Sequence, residues 1–369
     1  MTDRITTDGD VATGLPPPRS TTGPWVWVRR NLFATPGNIV LTILGLALIV
    51  VVVPPILDWA IFSANFQAGT SRADCVHHGA CWTMVRARFG QFIYGFYPED
   101  QRWRVDVTFV LLAIGMGGLL IERVPGKKWF ALLLFVVFPP LAYWLLFGGW
   151  FLPEVETRLW GGLMLTVIIG ITSVASLPIG ILLALSRRSP MPVIGLLGTS
   201  YIEFIRAVPL ITILFMSSVM LPLFLPEGVS FDKLLRAMIG FTLFGAAYMA
   251  EVVRGGLQAI PKGQYEGAAS LGLSYPKMMI FVILPQALKI SIPGLVNSFI
   301  GQFMDSTLVV IIGLFELLGI VQLAARDSNW NGLTTEGFVF AGVFFFVICF
   351  SMSRYSVRLE RKLHTGHKR

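Results

Sequence analysis

The chain has 369 residues, 54% of them hydrophobic and only 14% charged, where a water-soluble domain carries about 25% charge. That balance excludes an ordinary soluble fold and points to an integral membrane protein. The net charge of +8 does not imply nucleic acid, because no basic stretch with interleaved aromatics occurs; in a membrane chain it reflects Lys and Arg kept on the cytoplasmic side.

Residues 1–35 begin polar and rich in Thr, Gly and Pro, too poor in apolar side chains to fold alone, and read as a flexible cytoplasmic tail. They lack the charged-then-apolar pattern of a cleaved signal, so the first apolar segment is expected to direct insertion. A span needs about 20 mostly apolar residues. Asn38 to Ile61, Trp129 to Leu152, Gly162 to Leu185, Pro209 to Leu225, Leu235 to Val253 and Thr335 to Met352 are read as spans on that pattern. Val107 to Ile121 is shorter, but Gly115, Gly117 and Gly118 suit close helix packing. Met278 to about Met304 is interrupted by Pro285 and Pro293. The prediction is an all-α integral membrane protein of about eight spans.

Basic residues set the orientation. Alternating the spans gathers Arg29-Arg30, Arg123 with Lys127-Lys128, Arg187-Arg188, Lys262 with Lys277, and Arg354 to Arg369 on one side. Both termini are then expected in the cytoplasm. The long segment Phe62 to Arg104, with five Arg, is the exception on the outer side. The chain divides into residues 36–157, with three spans and outer loop 62–104, and residues 158–358, with five spans. A basic tail, 359–369, follows.

Between the sixth and seventh spans lies GQYEGAASLGLSYPKMMIFVILPQAL, Gly263 to Leu288. Gln264 to Leu271 suits a short helix. Gly272 stands where a left-handed C-terminal residue belongs, and Ser274 can cap a second helix starting near Pro276. Ala268 and Ala269 would leave a shallow surface carrying one charge, Glu266. Composition alone leaves an ordinary cytoplasmic loop equally open.

The order Glu266, Gly267-Ala268, Gly272, Val282-Ile283-Leu284-Pro285 resembles the EAA motif of ATP-binding-cassette importer permeases: Glu-Ala-Ala, three residues, Gly, nine residues, Ile-x-Leu-Pro. Gly267 replaces an Ala and loosens the helix by up to about 1 kcal/mol; Val282 replaces the Ile. Tyr201-Ile202-Glu203 with Arg206 and Pro209, Glu251 to Gly256, Lys262-Gly263-Gln264, Gln286-Ala287-Leu288, and Asp305 to Leu308 with Gly313 continue the likeness. The family more often writes Lys-Asp-Thr-Ser-Leu, so Met304 and the Ser306-Thr307 order depart from it. Residues 158–358 thus resemble the permeases of the polar-amino-acid (histidine/glutamine-type) family. The three-span extension is similar to that of the larger membrane subunit of general L-amino-acid, or glutamate/glutamine/aspartate/asparagine, importers.

The resemblance implies a five-helix permease core preceded by a three-helix extension, in a bacterial inner membrane. It implies a subunit moving L-amino acids from periplasm to cytoplasm by alternating access, with no catalytic, metal or cofactor site of its own. ATP and Mg would belong to a partner ATPase dimer. The further partners would be a second related permease and a periplasmic amino-acid-binding protein. Gln264, Tyr265, Glu266, Gly267, Ala268, Ala269, Leu271, Gly272 and Pro285 would form the coupling element that docks into the ATPase. The absence of a GxxxxGK[ST] phosphate loop agrees with that division of labour.

Other residues are read from spacing. Glu203 with Arg206, and Glu251 with Arg254, are i,i+3 pairs expected to be structural and near the cytoplasmic boundary, because charge at mid-membrane is costly, with direct contact to the ATPase as the alternative. Asn297, Gln302, Asp305, Ser306 and Thr307 form a polar run beside interrupted helix, open to a substrate-pathway role or to interhelical hydrogen bonding. Cys75 and Cys81 bracket CVHHGAC; an outer location favours a disulfide, with free thiols or a metal site as alternatives. An ion-coupled secondary transporter is the rival reading, but inverted repeats and intramembrane ionisable residues tied to coupling are not evident. A membrane enzyme would need HExxH, GxSxG or paired carboxylates within the spans, which are missing.

Overall fold

Helices form where the apolar runs are long enough, and they break where proline or glycine removes a hydrogen bond or a Cβ. The computed structural model describes residues 23–363 except 77, 122, 227 and 230. The predicted tail up to residue 22, His77, and the basic tail beyond residue 363 lie outside the described residues. The helices are α1 (Pro24–Leu32), α2 (Pro36–Phe62), α3 (Thr83–Tyr94), α4 (Trp103–Leu120), α5 (Lys127–Phe147), α6 (Gly162–Arg187) and α7 (Pro192–Ala207). They continue as α8 (Leu210–Phe224), α9 (Lys233–Gln258), α10 (Lys262–Ser270), α11 (Tyr275–Ile312), α12 (Leu317–Ala325) and α13 (Thr334–Leu363). Among the described residues there is no extended strand, only isolated bridges. Seven helices are long and apolar enough to cross a membrane, and the bent pair α7–α8 raises the number to eight.

Two compact units divide the described residues: the chain up to Asn65 with Val76–Ala80, and Phe66–Cys75 with the chain from Cys81 onward. In the first, residues 24–32 form a helix where a flexible tail was expected. Pro24 supplies a ready helical φ at its first turn. Thr35 then caps α2 by accepting the Asn38 N–H at 3.2 Å.

In the second unit the expected boundary near residue 158 does not mark a break in packing. Tyr97, Val105 and Leu146 share one core with Leu165, Ile169, Phe241 and Phe244. α4 starts at Trp103, earlier than the sequence suggested, and so takes in Arg104, which is fully buried and donates from Nη1 to the Pro153 carbonyl at 2.9 Å. α5 stops at Phe147 rather than Leu152, since Gly148 and Gly149 take φ of 94° and 95°.

Proline shapes three of the spans in the same way. Phe138, Leu221 and Leu284 each donate their N–H five residues back, to Leu133, Met216 and Met279. Each directly precedes a proline: Pro139, Pro222 and Pro285. A proline ring collides with the carbonyl four residues earlier, and one widened turn swings that carbonyl aside. At Pro222 the displaced carbonyl is Ser218, which accepts from Arg236 Nη1 at 2.5 Å. The segment Pro209 to Leu225, read as a self-contained span, is only one arm of a pair bent by 103°. The residue before Pro209, Val208, is extended, as proline demands of its neighbour. α11 is 38 residues long, roughly 57 Å at the helical rise, so it outreaches a bilayer core of about 30 Å.

α6, α9 and α11 form the centre. α6 runs parallel to α9, with Thr172 beside Thr242 and Arg188 beside Leu257. α11 runs antiparallel to α9, with Ser291 bonded to Val252. Gly180, Gly245 and Gly256 sit where a Cβ would strike Met249, Gln302 and Ser291. Small residues let these backbones approach closely.

Candidate functional site

The segment joining α9 to α11 is a helix, a tight turn and a second helix. Gly272 takes φ of 71°; its N–H bonds the Ala269 carbonyl at 2.9 Å, and the Leu273 N–H bonds the Ala268 carbonyl at 3.3 Å. Those two bonds close α10 as a Schellman motif, which needs the left-handed residue that glycine adopts most cheaply. Ser274 occupies the N-cap position of α11, but its hydroxyl makes no capping bond. Pro276 in the first turn costs no helical hydrogen bond.

Of the expected coupling residues, Gln264, Glu266, Gly267, Ala269, Leu271, Gly272 and Pro285 are exposed and Tyr265 is half-buried. Leu271, at the tip, is 80% exposed. Ala268 is buried, so the shallow alanine surface is reduced to Ala269. Tyr265 braces the segment: its hydroxyl lies 3.2 Å from Arg188 Nη1 and 3.4 Å from the Leu257 carbonyl. Gln264 Oε1 accepts from Gln286 Nε2 at 3.0 Å, tying α10 to α11. The result is an apolar tip with its base fastened to three helices.

Beside it the charges form a network, not two local pairs. Glu251 Oε1 accepts from Arg254 Nε at 2.9 Å, as spacing predicted. Its Oε2 lies 3.3 Å from Arg187 and 3.7 Å from Arg206. Glu203 pairs with Arg187 at 3.0 Å, not with Arg206. The reason is convergence: Arg187 ends α6 between α7 and α9 and reaches both acids, while Arg206 turns toward α9 and over the Tyr248 ring. Arg187 entered the sequence reading only as an orientation marker; a guanidinium closing a long apolar helix was the available signal.

The polar run on α11 does not converge on one point. Gln302 is buried and its Oε1 accepts from Ser176 Oγ on α6 at 3.4 Å. Ser306 and Thr307 bond their own helix, at the Phe303 and Met304 carbonyls. Asp305 is half-buried with no ion pair among the described residues, and Asn297 is exposed. Cys75 and Cys81 are joined as a disulfide, with Cα atoms 5.8 Å apart. That bond packs Cys81 against Met84, Trp330 and Leu333.

Sequence reasoning missed Glu316. It is fully buried and caps α12, accepting from Gly319 N–H at 2.8 Å and Leu318 N–H at 2.9 Å. Burial pushes its carboxyl up to about 7 despite those donors. A single acid immediately before the Leu-Leu-Gly start of a helix was the signal.

The described residues form a bundle of membrane-length helices that carries an exposed, braced helix-turn-helix. The chain belongs to the family described as "Binding-protein-dependent transport system inner membrane component", which matches residues 176–365. It is 53% identical over 343 residues to the inner membrane amino-acid ABC transporter permease protein YhdY of Escherichia coli (strain K12), covering 92% of this chain and 93% of that one. It is 41% identical to the glutamate/glutamine/aspartate/asparagine transport system permease protein BztC of Rhodobacter capsulatus, over 96% of each chain. A probable glutamine ABC transporter permease protein, GlnP of Bacillus subtilis (strain 168), is 32% identical over 58% of this chain and 97% of its own length. That shorter permease matches only part of the present chain.

Proposed function

We propose that this chain is the permease subunit of an ATP-driven importer that carries L-amino acids from periplasm to cytoplasm. Family membership and the amino-acid permeases it resembles over most of its length support the reading. In it, both termini and the α10 segment face the cytoplasm, and a periplasmic binding protein delivers the amino acid to the opposite face. Two ATPase subunits bind ATP and Mg and close on each other; α10 passes that closure to α9 and α11. The chain supplies one such segment, so a second, related permease completes the pair.

The observation that carries this reading is the exposed tip at Leu271 on a base held by Tyr265, Gln264 and Arg188. A lone exposed leucine needs no explanation by itself; it is the fixed base beneath this one that gives a partner a preformed surface to dock on. Leu271→Cys and Glu266→Cys chains, assembled with their partners and treated with a short bifunctional crosslinker, are expected to join the ATPase subunit during turnover. An importer that transports normally while neither position reaches an ATPase would refute the assignment.

A further inference from the structure

At the opposite end of α9 and α11 from the coupling segment, four stretches meet: the end of α5, the loop 153–161, the start of α9 and the turn after α11. They surround a cavity of about 270 Å³. That is just under the range of about 300–1,000 Å³ typical of small-molecule sites, and the pocket is open on one side, with Glu156, Arg158, Asp232 and Lys233 all exposed.

The charges around it are mixed. Glu156 and Arg158 pair at 2.5 Å. Asp232 accepts from Thr157 Oγ1 at 2.5 Å, and its other oxygen caps α9 through the Leu234 and Leu235 N–H groups. Lys233 has no ion pair or hydrogen bond among the described residues. Its ammonium lies against Gly313, where a Cβ would come within 3.2 Å of Nζ. Gly313 has φ of 71°, so glycine both permits the turn and keeps the space beside the ammonium open. Phe147 and Leu314 supply an apolar wall.

With Glu156 and Arg158 already answering each other, a simple anion entering here would meet the Asp232 carboxylate beside Lys233, and a simple cation would meet the Lys233 ammonium beside Asp232. A ligand carrying both charges a short distance apart satisfies both. We propose that this mouth binds a free zwitterionic α-amino acid, with Lys233 taking the carboxylate, Asp232 taking the ammonium, and Phe147 and Leu314 flanking the side chain. The assignment rests on the importer reading and adds to it a place on this chain where the groups common to all amino acids are held. α9 starts at the cavity and ends at the coupling segment, and α11 runs the other way. An occupant therefore touches the start of α9 and the turn that follows α11, at the far ends of the two helices that the coupling segment joins.

The test is saturation-transfer NMR with L-glutamine on the assembled importer in nanodiscs, without binding protein, with acetate and ethylamine as single-charge competitors. Wild type is expected to bind L-glutamine, and Lys233→Gln to bind it at least about tenfold more weakly, a loss of about 1.4 kcal/mol. Lys233→Arg, which keeps the charge, is expected to stay within about threefold of wild type. No binding by wild type, equal loss in both variants, unaltered binding in Lys233→Gln, or displacement by acetate alone would each overturn the site. ATP-dependent uptake by the same wild-type particles in proteoliposomes is read separately. Its absence for every amino acid sinks the importer reading, whereas normal uptake with a negative binding result sinks only this site.

Discussion

Glu316 has its carboxylate fully buried and faced by hydrogen-bond donors from two backbone amides. The two influences oppose: the amides favour the anion, burial favours the acid, and burial wins, holding the group at about 7 against an ordinary 4.5. Between those values the folded chain binds a proton that the unfolded chain has released. Its contribution is therefore greatest below about pH 4.5 and is lost as the pH rises through 7. The gap corresponds to on the order of 3 kcal/mol. The melting temperature of the purified importer is expected to fall between pH 5 and pH 8, and Glu316→Gln is expected to flatten that fall. Parallel pH profiles for the two proteins would show that Glu316 does not titrate in this window.

At the scale of an element, α10 offers a matched pair of glycines. A Cβ on Gly267 or Gly272 meets nothing within 4 Å, so any effect of alanine is conformational. Gly267 lies inside the helix, where alanine gains up to about 1 kcal/mol. Gly272 has φ of 71°, where alanine costs roughly 1–2 kcal/mol. Hydrogen exchange of the 262–274 amides is expected to slow in Gly267→Ala and quicken in Gly272→Ala; a shift in the same direction in both would contradict the account. The turn itself was legible in the sequence because Gly272 and the residues before it fix a local geometry. The bends were half-legible. Pro209, Pro222 and Pro285 mark where α-helical bonding must fail, but the 103° between α7 and α8 is set by what each arm packs against. Likewise the i,i+3 rule finds Glu251 with Arg254 and misses Glu203 with Arg187, because the second pair joins different helices. Spacing within one helix carries no information about a partner on another.

For the whole molecule, the ion network lies where three helices meet beside α10: Arg187 from α6, Glu203 and Arg206 from α7, and Glu251 and Arg254 from α9. Glu251 is 23% exposed and, among the described residues, is the only carboxylate shared by three arginines, whereas Glu203 is 61% exposed and serves one. An exposed pair contributes below about 1 kcal/mol. Removing the shared carboxylate leaves the partly buried Arg254 without its partner and Arg187 with Glu203 alone, a cost of about 1–3 kcal/mol, while the exposed Arg206 loses little. If α10 is pushed by an ATPase, that push reaches α6 and α7 only while the three helices are held to one another. Glu251→Gln is therefore expected to keep ATP hydrolysis in the assembled importer while amino-acid uptake per ATP falls several-fold, and Glu203→Gln to change that ratio by less than about twofold. Measured together in proteoliposomes, equal ratios for the two variants would mean that motion passes from α10 along α9 and α11 without the clamp. A loss of hydrolysis and uptake in proportion would instead give Glu251 a role in assembly.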